Sequence, residues 1–256
     1  METKKRVHIM PLGFENDRIV SPAKRESADK VILLDYIADD IERPAYHAEV
    51  KEELKNSGVK LEIESCNLFD LYESIATIAA IAVDETEAGN IVYVNLATGS
   101  TITGIAGMIA CMVTHQTYPY YVQGDEYNAG TEEPIVETAK APEKLPQYPM
   151  DHPEKQHIEV LGFLKRQRNK ETEGNAKNTK VYKKDIISYG KENGLEFVSE
   201  YSGDTEKGYY RRLERHVLEP LEQKGYVEIK EQGRKKLIEI TETGENTHRA
   251  FSYLIE

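Results

Sequence analysis

Short apolar segments alternate with amphipathic ones through the first 122 residues. Apolar runs predict strands at Val7–Met10, Val31–Leu34 and Ile91–Asn95, alternation predicts one at Val59–Ile63, and Thr117–Val122 is expected as the last strand. Apolar residues at three- and four-residue spacing predict helices between them, at Glu15–Ala28, Pro44–Ser57, Leu68–Val83 and Ile102–Val113. Strands that alternate with helices favour a parallel sheet covered on both faces. The predicted fold class is therefore α/β, with a Rossmann-like sheet.

This alternation stops between residues 124 and 153. Five prolines lie in this stretch and Pro119 lies just upstream, and the remaining residues are mostly polar. Such a composition indicates a hairpin or linker. We therefore expect a domain boundary near residue 150, with one domain at 1–150 and a second at 154–256.

The second domain has a different order of patterns. Helical spacing predicts helices at Glu154–Gln167 and Tyr182–Glu192, and a long helix that runs from a cap at Ser202–Asp204 to Gln223. Alternation predicts strands at Gly225–Ile229 and Leu237–Ile240, and Thr241–Glu245 is expected to cap a final helix. This order is typical of a winged helix-turn-helix domain.

Two groups of basic residues fall where a winged helix contacts DNA. In the long helix, Lys207, Arg211 and Arg215 form a basic stripe with Arg212 beside it, separate from an apolar stripe of Tyr210, Leu213, Val217 and Leu221. The predicted wing carries Arg234, Lys235 and Lys236. These cations are expected to neutralise phosphates of double-stranded DNA, while Tyr209 or Arg212 reaches base edges. The alternative is that both groups are merely solvated charge.

The net charge of −12 lies entirely in the first domain. Residues 1–150 carry 13 Lys and Arg against 25 Asp and Glu, and residues 151–256 carry 20 against 20. Cys66 and Cys111 stand alone in apolar contexts, which indicates core thiols and no metal site. No apolar run approaches the ~18 residues of a membrane helix, so a cytoplasmic protein is expected.

The loop Asn95–Thr101 joins a predicted buried strand to a predicted buried helix. Free N–H groups at the start of that helix would attract an anion such as phosphate at the carboxyl edge of the sheet. A simpler interpretation makes Thr98, Ser100 or Thr101 an N-cap and Gly99 a tight turn.

Taken together, the two domains resemble the CRISPR-associated Rossmann fold (CARF) joined to a winged helix, as in CRISPR-linked transcription regulators found mainly in archaea. The sharpest motif is Asn95-Leu96-Ala97-Thr98-Gly99-Ser100-Thr101, which is similar to the family's Asn-x-Thr-Gly-Gly-Thr ligand loop. A second is the segment from Gly13 to Arg18, followed by Arg25. The resemblance implies a homodimer that holds a cyclic oligoadenylate second messenger, such as cyclic tetra-adenylate, across its two-fold axis.

The resemblance also implies roles for individual residues. Backbone N–H groups of Gly99 to Thr101, with the Thr98 and Ser100 hydroxyls, would hold a phosphate, and Asn95 would read a ribose or base edge. Arg18 would supply a counter-charge, unless Glu15 or Asp17 balances it at the surface. The full set of implied ligand-binding residues is Gly13, Phe14, Asn16, Arg18, Asn67, Asn95, Thr98, Gly99, Ser100 and Thr101.

The predicted function is that of a ligand-responsive, DNA-binding transcription regulator. One alternative is an enzyme that slowly degrades cyclic oligoadenylates, and another is a dimeric DNA-binding protein whose Rossmann-like domain binds nothing. No residue is placed as a general base, since His8 falls in a strand and His115 follows a buried helix. Neither catalysis nor a cofactor is therefore expected.

Overall fold

The computed structural model describes residues 4–36, 44–128, 133–172, 180–199, 206–232 and 235–255. The chain divides into two compact units, residues 1–151 and 152–256, next to the boundary expected near residue 150.

The amino-terminal unit is built on a six-stranded sheet. Its strands are β1 (Arg6–Pro11), β2 (Lys30–Tyr36), β3 (Lys60–Cys66), β4 (Ile91–Asn95), β5 (Thr117–Tyr121) and β8 (Glu143–Lys144), in the order β3-β2-β1-β4-β5-β8. The first five are parallel and β8 runs antiparallel to β5. The chain leaves β1 towards one edge of the sheet and returns at β4 towards the other, so the strand order reverses between these two neighbours. The predicted α/β class is confirmed.

Four helices connect the parallel strands: α1 (Asp17–Arg25), α2 (Tyr46–Asn56), α3 (Leu71–Glu87) and α4 (Thr101–Val113). Apolar residues of α1 and α2 share one buried cluster with β1 and β2, and α3 packs on α4. The central strands β1 and β2 are nearly continuous apolar runs because helices shield them from water, whereas the edge strand β3 alternates apolar and charged residues.

Besides α2, which begins at Tyr46 rather than at Pro44, two helices of this unit begin later than the sequence predicts. The first, α3, begins after Asp70 rather than at Leu68, because the Asp70 carboxylate accepts hydrogen bonds from the N–H groups of Tyr72 and Glu73. The second, α1, begins at Asp17 rather than at Glu15.

The stretch expected as a hairpin or linker contains both ordered strands and an extended tail. Strands β6 (Gly124–Tyr127) and β7 (Val136–Ala139) form an antiparallel hairpin, which packs against α1. After it, β8 joins the main sheet, and residues 145–151 follow without regular structure.

The carboxy-terminal unit contains helices α5 (Lys155–Thr172), α6 (Lys183–Asn193), α7 (Glu206–Leu213), α8 (Glu219–Gln223) and α9 (Glu242–Phe251), with strands β9 (Val227–Gln232) and β10 (Lys235–Ile240). Ile158, Leu161, Ile186, Leu213 and Leu218 fill its core with no measurable exposure. The predicted cap at 202–204 lies outside the described residues.

The long predicted helix is interrupted. A π-helical turn, Glu214–Leu218, separates α7 from α8. This wider turn brings both Val217 and Leu218 into the core, whereas Tyr210 is 37% exposed. Assigning Tyr210 to the buried stripe was therefore wrong, while Leu213, Val217 and Leu221 are buried as expected.

The wing hairpin is longer than predicted. Residues expected in its turn, among them Lys230 and Lys236, lie in β9 and β10. An isolated β-bridge adds to it, since Tyr182 bridges Leu237 and the Ile238 N–H donates to the Val181 carbonyl at 2.9 Å. Thr241 caps α9 as predicted, accepting a hydrogen bond from the N–H of Gly244.

Candidate ligand pocket and nucleic-acid interface

A cavity of about 140 Å³ opens at the carboxyl edge of the sheet, where the strand order reverses. The loops after β1, β2, β3 and β4 all reach it. Its lining comprises Leu12, Gly13, Phe14, Asp35, Tyr36, Pro44, His47, Leu68, Phe69, Gly99 and Ser100. Ligands of open α/β sheets bind at such a crevice. Four of the residues that the resemblance implies line it: Gly13, Phe14, Gly99 and Ser100.

The loops after β1 and β4 touch through two glycines. A Cβ atom on Gly13 would lie 2.5 Å from the backbone nitrogen of Gly99, so no larger residue fits without displacing the backbone. Gly99 itself has φ of +81°, a conformation that favours glycine. These two positions therefore fix the floor of the cavity.

Ser100 is the N-cap of α4. Its hydroxyl accepts a hydrogen bond from the N–H of Thr103 at 3.1 Å, and the N–H of Ser100 in turn donates to the Thr103 hydroxyl. Both hydroxyls also reach the Leu68 carbonyl. The capping interpretation thus holds for Ser100, and Thr101 is the exposed first residue of α4. Thr98 is 1% exposed, and its hydroxyl has no hydrogen-bond partner among the described residues.

Asn95 does not face the cavity, which corrects the expectation that it reads a ribose or base. It is fully buried; its amide nitrogen donates to the Arg18 carbonyl at 2.8 Å and its oxygen accepts from the N–H of Ala97. Its function in this structure is to hold the loop after β4 against α1. Asn67 and Asn16 likewise shape backbone: the Asn67 side chain accepts from the N–H of Phe69, and the Asn16 carbonyl begins α1.

Arg18 is engaged within the unit, which corrects its expected role as a free counter-charge. The side chain is buried, donates to the Val122 carbonyl at 2.7 Å, and pairs with the Glu15 carboxylate at 2.9 Å. Burial raises the pKa of Glu15, and the Arg18 charge opposes that rise. Arg18 therefore pairs with Glu15, which is one of the two alternatives that the sequence left open. The pair lies inside the fold and not at its surface.

Seven residues that line the pocket are absent from the predicted set, and four of these seven carry polar or aromatic side chains. His47 bonds the Gly13 carbonyl through Nε2 at 2.8 Å, and Tyr36 meets Phe69 edge to face at 4.9 Å between ring centres. Asp35 pairs with Lys51 at 2.9 Å. The available signal was position, since Asp35 and Tyr36 end β2 and Phe69 follows β3 at the same sheet edge. Within the described ranges, no cluster of His, Cys, Asp and Glu is placed to hold a metal ion.

In the second unit, α7 and the π turn that follows it present the predicted basic stripe, which we call the α7 stripe, to solvent. Lys207, Arg211 and Arg215 are all exposed. Tyr209 and Arg212 are half-buried and contact their own unit, so their reach to base edges stays a prediction. Arg212 donates to the Phe197 carbonyl at 2.8 Å and packs over the Tyr209 ring, which itself borders the core.

A second basic surface lies beside the wing and was not predicted as a whole. Lys180, Lys184 and Lys235 line a cleft of about 290 Å³ at the start of α6; we call it the lysine cleft. In the described part of the chain, none of the three forms an ion pair, and Lys235 lies 5.3 Å over the Tyr182 ring.

The lysines next to this cleft, unlike those that line it, lie close to an acidic side chain. Lys183 pairs with Glu214, which also approaches Lys236 at 3.7 Å. Burial, and then the charge of Lys236, lowers the pKa of Lys183. Arg234 lies outside the described residues.

The fold and these surfaces define an α/β unit with a mostly parallel sheet joined to a winged helix domain. Residues 156–252 match the family model described as the DUF6293 C-terminal winged helix domain, and residues 6–127 match the model described as HFX_2341_N-like, N-terminal. None of the described helices has the length and apolar character needed to cross a membrane.

Individual proteins are similar to this chain over part of their length. An uncharacterized protein of Methanocaldococcus jannaschii is 30% identical over 142 residues, which make up 52% of this chain and 42% of that protein. Among solved structures, two CARF proteins are similar at 11% identity. Can2 of Sulfobacillus thermosulfidooxidans, in complex with cyclic tetra-adenylate, gives a TM-score of 0.37 over 96% of this chain and 62% of its own. Csm6 of Enterococcus italicus, bound to cyclic hexa-2′-fluoro-hexa-dAMP, gives 0.42 over 86% and 54%.

Proposed function

We propose that this chain is a ligand-responsive DNA-binding transcription regulator. The observation that carries the proposal is the concentration of exposed cations on the winged helix domain of an otherwise acidic chain. The α7 stripe and the lysine cleft together offer six exposed bases, and the three in the cleft have no ion-pair partner among the described residues. Such cations bind phosphates and make affinity fall with added salt.

The ligand proposed for the amino-terminal pocket is an anionic nucleotide. Support comes from the loop after β4, where the small residues Gly99 and Ser100 line the pocket at the start of α4. Cyclic tetra-adenylate is the probe of choice, since the motif resembles the CARF ligand loop and Can2 is described with this molecule bound.

The test measures DNA binding with and without this probe. The full chain is titrated onto the DNA upstream of its own gene in an electrophoretic shift assay, and cyclic tetra-adenylate is added at saturation. The proposal expects a specific shift whose midpoint changes with the nucleotide by at least about fivefold, a typical allosteric coupling. Gly99→Glu should abolish this change by filling and charging the loop, while DNA binding without ligand persists.

Two results would refute parts of the proposal. If salt-sensitive DNA binding is absent, the winged helix domain of this protein does not bind DNA. If DNA binds but no nucleotide produces heat in calorimetry, the amino-terminal unit is not the sensor, and a dimerising role for it is favoured.

One observation favours the alternative of ligand degradation. His47 lines the pocket and is fixed to the Gly13 carbonyl, so an imidazole lies within the site. We nevertheless propose binding without cleavage, because the Nε2 atom of His47 is already engaged by that carbonyl. Chromatography of cyclic tetra-adenylate after prolonged incubation separates the two cases, since cleavage would yield a linear product that His47→Ala fails to form.

A further inference from the structure

Helix α4 connects the ligand pocket to the linker between the two units. Its amino end carries Ser100 and follows Gly99, both of which line the pocket. Its carboxyl end is thirteen residues further on, a distance of about 20 Å at 1.5 Å per residue. There the helix meets residues of the segment that leads to the winged helix domain.

The contacts at this far end are hydrogen bonds to carbonyl groups that the helix cannot satisfy itself. The last four carbonyls of any helix have no partner within it. In α4, the Ala110 carbonyl accepts from Thr114, but the next two are taken by the linker. The Gln147 side chain donates to the Cys111 carbonyl, and the N–H of Met150 donates to the Met112 carbonyl at 2.8 Å.

The same helix end is therefore capped by the chain that continues into the DNA-binding unit. We propose that α4 transmits ligand binding from the pocket to the linker, and that Gln147 is the positioning residue which couples them. This inference rests on the proposed function, because it explains how the sensor acts on the winged helix. A shift of α4 by 1–2 Å, a common allosteric movement, would carry the two carbonyls with it and move the linker.

The features of α4 fit such a movement. Residues 101–113 contain no charged side chain, so no ion pair fixes the helix along its length. At its amino end, α4 is held by the Ser100 and Thr103 hydroxyls, which donate to the Leu68 carbonyl at the pocket itself. A ligand that contacts Ser100 or Leu68 acts directly on the helix anchor.

The experiment compares Gln147→Ala with Gln123→Ala in the full chain. Gln123 is an exposed glutamine of the same unit, so its replacement is a matched loss of an amide side chain. For Gln147→Ala we expect affinity for cyclic tetra-adenylate, and DNA affinity without ligand, to stay within about twofold of wild type. The change in DNA affinity caused by the nucleotide should fall by at least about fivefold, whereas Gln123→Ala should retain it.

Hydrogen exchange on the wild-type chain gives a second, independent readout. Cyclic tetra-adenylate should alter exchange at the Met150 N–H, which bonds α4, and leave unchanged the Lys60 N–H, which bonds the Asp29 carbonyl at 3.1 Å at the other end of the sheet. A full ligand response in Gln147→Ala, or unaltered exchange at Met150 while the nucleotide binds, overturns the coupling role and leaves the sensor standing. If the wild type binds no nucleotide, the proposed sensor function itself has failed.

Discussion

Gly13 and Gly99 meet backbone to backbone, and this contact determines whether the pocket exists. We predict that Gly13→Ala lowers affinity for cyclic tetra-adenylate by at least about tenfold and costs about 1–3 kcal/mol of unfolding free energy, as overpacking does. Its Cβ would lie 2.5 Å from the Gly99 nitrogen and push the two loops apart.

The matched control is Gly58→Ala. Gly58 has φ of +83° and no atom lies near a new Cβ, so this variant should lose only the unfolding free energy that backbone strain costs, roughly 1–2 kcal/mol. Calorimetry with each variant separates the effects. Equal ligand affinity in both variants would mean that the glycine contact is not part of the binding site.

His8 makes the stability of the amino-terminal unit depend on pH. It is 1% exposed, stacks on Tyr93 at 5.1 Å, and contacts the Tyr120 hydroxyl through Nδ1 at 3.2 Å. Burial, and then the charge of Arg6, lowers the pKa of His8 from 6.5 to about 4. The unfolded chain binds the proton more readily, so stability is lost as the pH falls below 6.5 and the loss levels off below about 4.

We expect this histidine to cost about 2 kcal/mol of unfolding free energy between pH 7.5 and pH 5. Urea denaturation of wild type and His8→Phe at both values measures it. The phenylalanine retains the stack and should remove this part of the pH dependence, whereas His115→Ala, at an exposed position, should not. Identical pH slopes in wild type and His8→Phe would contradict the assignment.

At this scale, the sequence predicts residue types better than their contacts. Gly13, Gly99 and Ser100 line the pocket as the motif implies, because small residues at a strand end have few other uses. Arg18 and Asn95 satisfy buried partners inside the unit instead, and such pairing depends on α1 lying over the loop after β4. His47 lines the pocket from the first turn of α2, a placement that no local pattern reveals.

At the level of elements, the winged helix domain carries two cationic surfaces, and the proposed function assigns both to DNA binding. The α7 stripe is a helix face suited to a groove, and the lysine cleft lies where α6 meets the wing. Because first helices of helix-turn-helix domains cross the phosphate backbone, the cleft fits backbone contact rather than base reading.

We predict that Lys180→Ala combined with Lys184→Ala weakens DNA binding for specific and unrelated sequences alike. The slope of log affinity against log salt should fall by about 2, since each phosphate contact contributes close to one. Arg211→Ala should instead reduce the preference for the specific site. Lys224→Ala, an exposed lysine of the same unit, is the control. An unchanged salt slope in the double variant would exclude the cleft from the interface.

Element boundaries show why sequence patterns alone fall short. The order of strands and helices follows from apolar spacing, and the caps at Asp70 and Thr241 are local signals. The π turn at Glu214–Leu218 is not local, because it forms where the core takes in both Val217 and Leu218. The strand β8 has only two residues, and its pairing with β5 is a tertiary contact.

For the whole molecule, an apolar surface on α4 favours self-association. Ile102 and Ile105 are 40% and 50% exposed, and α4 carries no charge around them. Unpartnered apolar surface of this kind marks interaction sites. We expect a homodimer, whose two-fold symmetry would suit a palindromic DNA site.

Light scattering coupled to size exclusion measures this directly. Wild type should elute as a dimer at micromolar concentration, and Ile105→Glu should be monomeric because it buries an unpaired charge in the contact. Ile63→Glu is the control, as Ile63 is 48% exposed but lies on β3 at the edge of the sheet. A monomeric wild type would count against both a shared ligand and a two-fold DNA complex.

The two-residue strand β8 affects the tendency of the isolated amino-terminal unit to aggregate. It is the outermost strand on one side of the sheet, covering β5, which carries Tyr118 and Tyr121 with more than two fifths of each exposed. Bare strand edges recruit strands from other molecules and lead to aggregation. If the amino-terminal unit were truncated before residue 143, this aromatic edge would be uncovered, so we expect β8 to protect the sheet from aggregation.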